Sequence, residues 1–135
     1  MKSQFSKAWK SSKQARKQRK YIANAPLHIK SKLMGVHLSK ELRKKYRTRS
    51  ISVRKGDEVK VITGSFKKSG GKISLVNYKK QRVAIEGLQK KKKDGTKINL
   101  YFNPSNLQIQ ALNESDKKRI KKFSKKPEEN APKKT

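Results

Sequence analysis

The sequence predicts a mainly β protein: a small five-stranded barrel with basic, partly helical N-terminal and C-terminal extensions. Between Val53 and Leu112 the apolar residues recur in short alternating runs, the period-two pattern of half-buried strands. Lys and Arg dominate both flanks, and only 31% of the 135 residues are hydrophobic, too few to bury the whole chain around one core. The formal net charge is +30. So much unbalanced positive charge repels itself, and a stable compact state calls for a polyanion.

Four parts are expected in order: a basic arm over 1–23, short helices over 24–50, the barrel over 51–112, and a C-terminal helix with a basic tail over 113–135. Residues 1–23 hold no acid, which superficially suits a mitochondrial presequence. A presequence would show a clearer apolar face. Here only Phe5, Ala8 and Trp9 cluster before the polar run 10–20, so a solvated or RNA-tracking arm is the better reading. Before Asp57 the only acid is Glu41, and the field there is almost uniformly positive. Two helix signals lie within it. Asn24 and Pro26 open a run holding Leu27, Ile29, Leu33 and Met34, and Gly35 offers a stop. Ser39 can cap a second helix to Tyr46, with Glu41 in its first turn and Arg43, Lys44 and Lys45 near its end, as the helix dipole prefers.

The strands follow. Val59 and Val61 alternate with Lys60; Gly64 begins a loop over 65–71, and Ile73 and Leu75 resume the alternation, giving a hairpin. Tyr78, Lys79 and Lys80 make a polar turn. In the third strand Val83 and Ile85 face inward while Arg82 and Glu86 face water. Lys90 to Lys93 lead to Asp94 and Gly95, a pair suited to a type I′ turn. Strands over 97–102 and 106–111 then flank the break Asn103, Pro104, Ser105. A barrel hides the edges that five short strands would otherwise expose. Asn113 or Ser115 can cap a last helix, with Asp116 early and Arg119, Lys121 and Lys122 late. The tail beyond Phe123, with Pro127 and Pro132, has a disordered composition.

Several function classes are excluded or unsupported. Without cysteine there is no disulfide scaffold, thiol nucleophile or Cys-based zinc site. His28 and His37 have no carboxylate cluster around them to complete a metal site, and no cofactor is expected. No apolar run approaches the roughly 20 residues of a membrane span. Asp57, Glu58 and Glu86 are isolated acids among lysines, for which salt bridges suffice as an account. No nucleophile, base and orienting group occur together, so catalysis is not expected.

Phosphate binding is the chemistry that the remaining residues suit. In the hairpin loop, Gly64, Gly70 and Gly71 permit tight backbone geometry beside Lys67, Lys68 and Lys72. The loop lacks Walker spacing, because Gly64 and Gly71 are separated by six residues and Ile73 follows the lysine. In the arm and its continuation stand Arg16, Lys17, Arg19, Lys20, Lys30, Lys32, Lys44, Lys45, Arg47 and Arg49. Arg offers planar two-point phosphate contacts, and Tyr21, His28 and Tyr46 can stack on unpaired bases or touch sugars. Arg54, Lys55, Lys79, Lys80 and Arg82 add charge on the strands and turns. Lys90, Lys91, Lys92 and Lys93, with Lys97 nearby, repel one another unless phosphate lies close. Few of these groups suit base reading, so structured RNA is the expected target.

The run Arg54-Lys55-Gly56-Asp57-Glu58-Val59-Lys60-Val61-Ile62-Thr63-Gly64, with Gly71-Lys72-Ile73 after the loop, resembles the KOW motif. That motif occurs in ribosomal proteins and in transcription elongation factors. The segments Asn24-Ala25-Pro26-Leu27-His28-Ile29-Lys30 and Leu38-Ser39-Lys40-Glu41-Leu42-Arg43-Lys44-Lys45-Tyr46-Arg47-Thr48-Arg49-Ser50 narrow the choice. Together with Asp94-Gly95-Thr96 and Asn103-Pro104-Ser105-Asn106-Leu107 they are similar to the universal L twenty-four family of large-subunit ribosomal proteins in its archaeal and eukaryotic form, L twenty-six in eukaryotes. The likeness spans roughly residues 24–120. It departs at Lys68, where the family usually has a glycine, and nothing is carried over to the first twenty or so residues or the tail.

The resemblance implies an SH3-like KOW barrel bound to large-subunit rRNA near its 5′ region, acting early in assembly and lying near the polypeptide exit tunnel. Implied partners are that rRNA, neighbouring large-subunit proteins and exit-tunnel factors, with no membrane insertion and no homo-oligomer. The implied location is the cytoplasmic ribosome, with nucleolar passage if the source is eukaryotic. A KOW-containing transcription or RNA-processing factor that binds RNA transiently is the alternative. Such factors usually carry further ordered domains beside the KOW unit. A cationic membrane-active protein would leave the strand pattern unexplained.

Overall fold

The alternating runs become one twisted sheet in the computed structural model, which describes residues 5, 6, 8 and 11–124. Helices α1 (Ala15–Asn24) and α2 (Leu27–Leu33) lead into β1 (Gly35–Leu38). Then come α3 (Lys40–Tyr46), β2 (Ser50–Ser52), β3 (Glu58–Val61), β4 (Gly70–Asn77), β5 (Arg82–Lys91), β6 (Lys97–Phe102), a 3-10 turn (Pro104–Asn106), β7 (Leu107–Ala111) and α4 (Lys117–Ser124). The expectations on Trp9 and on the tail with Pro127 and Pro132 lie outside the described residues.

Seven strands pair in the order β2-β1-β7-β3-β4-β5-β6, with β1 and β7 parallel and every other pair antiparallel. The five expected strands are β3 to β7. The expected count is corrected by β1 and β2, which arise in the basic segment assigned to helices, and β2 and β6 remain as the edges of an open sheet. Their cause is local. Met34, Val36 and Leu38 alternate with Gly35 and His37, and all three apolar side chains are fully buried. With Ile51 they join Val53, Val59, Val61, Ile73, Val83, Ile85, Leu107 and Ile109 in one core. The segment before Asp57 is therefore part of the core, not only an extension of it.

Local signals set the ends of the elements. Pro26 precedes α2, as its fixed φ allows. Ser39 caps α3, its hydroxyl accepting from the Leu42 N–H at 3.4 Å, and Arg47 closes that helix in the left-handed region at φ 50°. α4 is capped by Asp116, whose Oδ1 accepts from the Arg119 N–H at 3.1 Å, rather than by Asn113 or Ser115. A register shift between Ile73 and Leu75 turns Leu75 outward, 46% exposed, against the expected alternation. Val76 takes the core side instead. At the β5–β6 tip the Gly95 N–H donates to the Lys92 carbonyl at 3.1 Å, and Gly95 has φ 83° while Asp94 is not in the positive-φ region. The tip is thus a longer connection with one left-handed glycine, not a two-residue type I′ turn.

One buried carboxylate ties the C-terminal helix to this sheet. Asp57 is fully buried and Arg119 is 7% exposed. Arg119 donates Nη1 to Asp57 Oδ1 at 2.8 Å and Nη2 to Oδ2 at 2.9 Å. The Arg54 N–H donates to Oδ2 at 2.9 Å and the Asn113 N–H to Oδ1 at 3.0 Å, so both carboxylate oxygens are satisfied twice. Arg119 Nη2 also reaches the Ser52 carbonyl at 2.7 Å. Strand β2, the turn before β3, the segment after β7 and α4 thus meet at one side chain.

Removing one partner of such a pair strands the other charge in the interior. Asp57→Ala is expected to lower unfolding free energy by about 3–5 kcal/mol. Adding Arg119→Met to it should recover a large part of that loss. Urea unfolding followed by circular dichroism checks this, and a single-variant loss below ~1 kcal/mol would contradict the assignment.

Candidate nucleic-acid interface

Exposed cations cover most of the fold, and the sheet and helices sort them into separate groups. On α1, Arg16, Lys17, Arg19 and Lys20 are all exposed, with no acid on the helix to pair with them. The arm is helical there, held at its start by Gln18 Nε2 donating to the Ser12 carbonyl at 2.6 Å. Lys30 of α2 donates to the Ala23 carbonyl at 3.2 Å, joining the two helices, while His28 and Lys32 are exposed. Around α3, Lys44, Lys45, Arg47 and Arg49 form a second exposed group beside β1, where Arg43 Nε donates to the Leu38 carbonyl at 2.8 Å.

The other groups sit on turns of the sheet. Arg54 and Lys55 occupy the turn before β3, Lys67 and Lys68 the β3–β4 loop, and Lys79 and Lys80 the β4–β5 turn. Lys72 of β4 lies opposite Glu58, and Arg82 of β5 opposite Asn77. Lys90, Lys91, Lys92 and Lys93 run along the β5–β6 hairpin, in which residues 89–99 are all exposed. Lys91 stands directly opposite Lys97, a like-charge pair that destabilises the hairpin unless an anion lies against it. β6 is one edge of the sheet and β2 the other, so the hairpin and the α3 group lie on different parts of the molecule.

Only two ion pairs form among the described residues: Arg119 with Asp57, and Arg54 with Asp116. Salt bridges thus account for Asp57. Glu58 and Glu86 are exposed and form none, and no described group of three His, Cys, Asp or Glu could hold a metal ion. No described helix is long and apolar enough to cross a membrane. Apart from Lys30 and Arg43, which donate to backbone carbonyls, the remaining Lys and Arg over residues 11–118 are exposed.

The expectation for Tyr46 needs correction. Tyr46 is 5% exposed, so its face is closed to a base, and Lys45 Nζ lies 5.4 Å from its ring. Tyr21 packs on Phe5 with centroids 4.9 Å apart. The aromatic side chain that does stand among cations is Tyr78, which sequence reasoning placed only in a polar turn. It lines a cleft with Ser31, Lys32, Ser52, Val53, Arg54 and Lys55. Its signal was weak: Tyr78 precedes Lys79 and Lys80, but the lysines across the cleft are distant in sequence.

The glycines of the loop also have another role. Gly70 and Gly71 belong to β4, where it leaves β3 and begins to pair with β5. A Cβ on Gly70 would meet the Val59 carbonyl at 2.7 Å, and one on Gly71 the Glu86 carbonyl at 3.0 Å. They let strands cross closely, while the lysines of the loop reach outward. Phe66 secures the loop edge-on against Phe102, with centroids 5.9 Å apart.

Over residues 12–126 the chain matches the family described as ribosomal proteins L twenty-six of eukaryotes and L twenty-four of archaea. It is 40% identical over 115 residues to the large ribosomal subunit protein uL24 of Methanosphaera stadtmanae, an alignment covering 85% of this chain and 98% of that protein.

Lys68, which follows Lys67 in the β3–β4 loop, adopts φ 75°. A side chain in that region costs about 1 kcal/mol relative to glycine. Lys68→Gly should therefore stabilise the fold by about 1 kcal/mol in urea unfolding, whereas Lys68→Ala, with the same loss of charge, should not. Equal effects of the two would assign the change to charge alone.

Proposed function

This chain belongs to the family of ribosomal proteins L twenty-six of eukaryotes and L twenty-four of archaea, and from that premise we propose that it is a structural constituent of the large ribosomal subunit that holds large-subunit rRNA. The observation that carries the RNA reading is the balance of charge. With a formal net charge of +30 and only two ion pairs among the described residues, the cations that the fold leaves unpaired outnumber anything it can neutralise itself. Folded rRNA supplies phosphates at many angles, and a protein with cationic turns and helices on several sides can lie between RNA segments and lower their repulsion.

The site residues follow from this. Arg16, Lys17, Arg19 and Lys20 on α1 would track one phosphate backbone. Lys67, Lys68 and Lys72, on and beside the β3–β4 loop, would meet another, and Lys90 to Lys93 on the projecting hairpin a third. Recognition is by shape and charge, with few base contacts. The finer architecture we propose is an SH3-like KOW unit over 51–112 whose core is completed by β1 and β2 from the segment leading into it, with basic extensions at 1–23 and 113–135. Register shifts in the β3·β7, β4·β5 and β5·β6 pairs support it, because such irregularities curl a sheet. Neighbouring large-subunit proteins, a place near the exit tunnel of the cytoplasmic ribosome and early action in assembly belong to the same proposal.

A cell lysate separated on a sucrose gradient, with the protein followed by a specific antibody, tests the role. Comigration with the large subunit at one copy, persisting in high salt, is expected. Release into light fractions at moderate salt would favour a KOW-type factor that binds RNA transiently.

A further inference from the structure

The cleft beside Tyr78 has a volume of about 670 Å³, within the about 300–1,000 Å³ of small-ligand sites. Lys32 comes to it from α2, and Arg54 and Lys55 from the turn before β3. Arg54 is engaged by Asp116, whereas Lys32 and Lys55 are exposed and have no carboxylate partner among the described residues. The turn is held in place from behind. The Arg54 N–H donates to Asp57 at 2.9 Å, and Asn113 Nδ2 donates to the Lys55 carbonyl at 3.4 Å. Tyr78 is half-buried against the core, and its hydroxyl makes no hydrogen bond among the described residues. Ser31 and Ser52 add hydroxyl oxygens, and that of Ser31 keeps acceptor capacity after donating to the His28 carbonyl at 2.9 Å.

We propose that this cleft takes one unstacked nucleotide of a bound RNA, with its base against the Tyr78 ring and its phosphate between Lys32 and Lys55. The inference rests on the rRNA-binding reading and deepens it, because it adds a contact that senses an extruded base. A phosphate-only site would need the cations alone. An aromatic face and free hydroxyls beside two unpaired cations match the other parts of a nucleotide: a base to stack, and sugar and base edges to hydrogen-bond. Tyr21, engaged by Phe5, and the buried Tyr46 do not provide this combination.

Two RNA hairpins of equal length and charge, one fully paired and one with a single-nucleotide bulge, test the proposal against the whole chain at fixed salt. The bulged hairpin is expected to bind about tenfold more tightly, a factor within the range of one base–aromatic stack. Tyr78→Leu, which keeps an apolar side chain against the core, should remove that preference and leave affinity for the paired hairpin unchanged. Tyr78→Phe should retain it. Equal wild-type affinities, or a preference that survives Tyr78→Leu, would overturn the cleft assignment while leaving RNA binding intact; failure to bind either hairpin would overturn the RNA reading itself. A measurement on the unaltered chain guards against a misfolded variant. A photoreactive 4-thiouridine at the bulge should crosslink to the peptide holding Tyr78, and crosslinks confined to other segments would contradict the proposal.

Discussion

The buried carboxylate of Asp57 is the interaction on which the arrangement of the other parts depends. Four donors converge on it, from the Arg54 and Asn113 backbone and from both terminal nitrogens of Arg119. In an interior of low dielectric an ion of either sign is costly alone, so carboxylate and guanidinium hold each other in place. The guanidinium suits this place because its planar fork meets both carboxylate oxygens and still reaches the Ser52 carbonyl. A lysine could not make all three contacts in one plane. Through this node the C-terminal helix is docked, β2 is fixed, and the turn bearing Arg54 and Lys55 takes a defined shape beside the cleft.

The rest of the electrostatics runs the other way. The fold neutralises a second cation, Arg54, at the surface, and leaves the other cations over residues 11–118 without a carboxylate partner. Their repulsion is dispersed rather than relieved: one group lies on α1, one around α3, one on the β3–β4 loop and one on the projecting hairpin. A small apolar core can tolerate this because the charged side chains point away from it along the solvated faces of the strands. The opposed Lys91 and Lys97 show the limit of that tolerance. Such a surface has a natural complement in a polyanion that folds around it.

Much of the sheet from β3 to β7 is legible in the sequence because period-two alternation reports burial directly. Val59 and Val61, and Val83 and Ile85, face inward as their spacing predicts. The Ser39 cap of α3 was equally readable, since its geometry involves only neighbouring residues. The misses came where the signal was short or non-local. Met34, Val36 and Leu38 alternate, but Leu33 and Met34 also complete a helical pattern, and tertiary pairing of β1 with β2 and β7 decides the matter. Leu75 was misplaced because a register shift has no mark in the alternation itself. Arg119 looked like one more cation in a basic helix; its partner stands 62 positions earlier. Tyr78 carries no such mark for the same reason, because the cleft that gives it a role is assembled from α2, β2 and two turns.

In the proposed role, a core closed by one internal ion pair presents its remaining cations to rRNA phosphates. The dependence of binding on salt tests it most directly, with the whole chain and a folded fragment of large-subunit rRNA titrated across a range of potassium chloride concentrations. A steep linear fall of log affinity with log salt is expected, with a slope of about −5 or steeper, as when six or more phosphates are neutralised at about 0.9 counterions each. A slope near −1 would contradict it, because the cations on separate faces would then not be meeting RNA together.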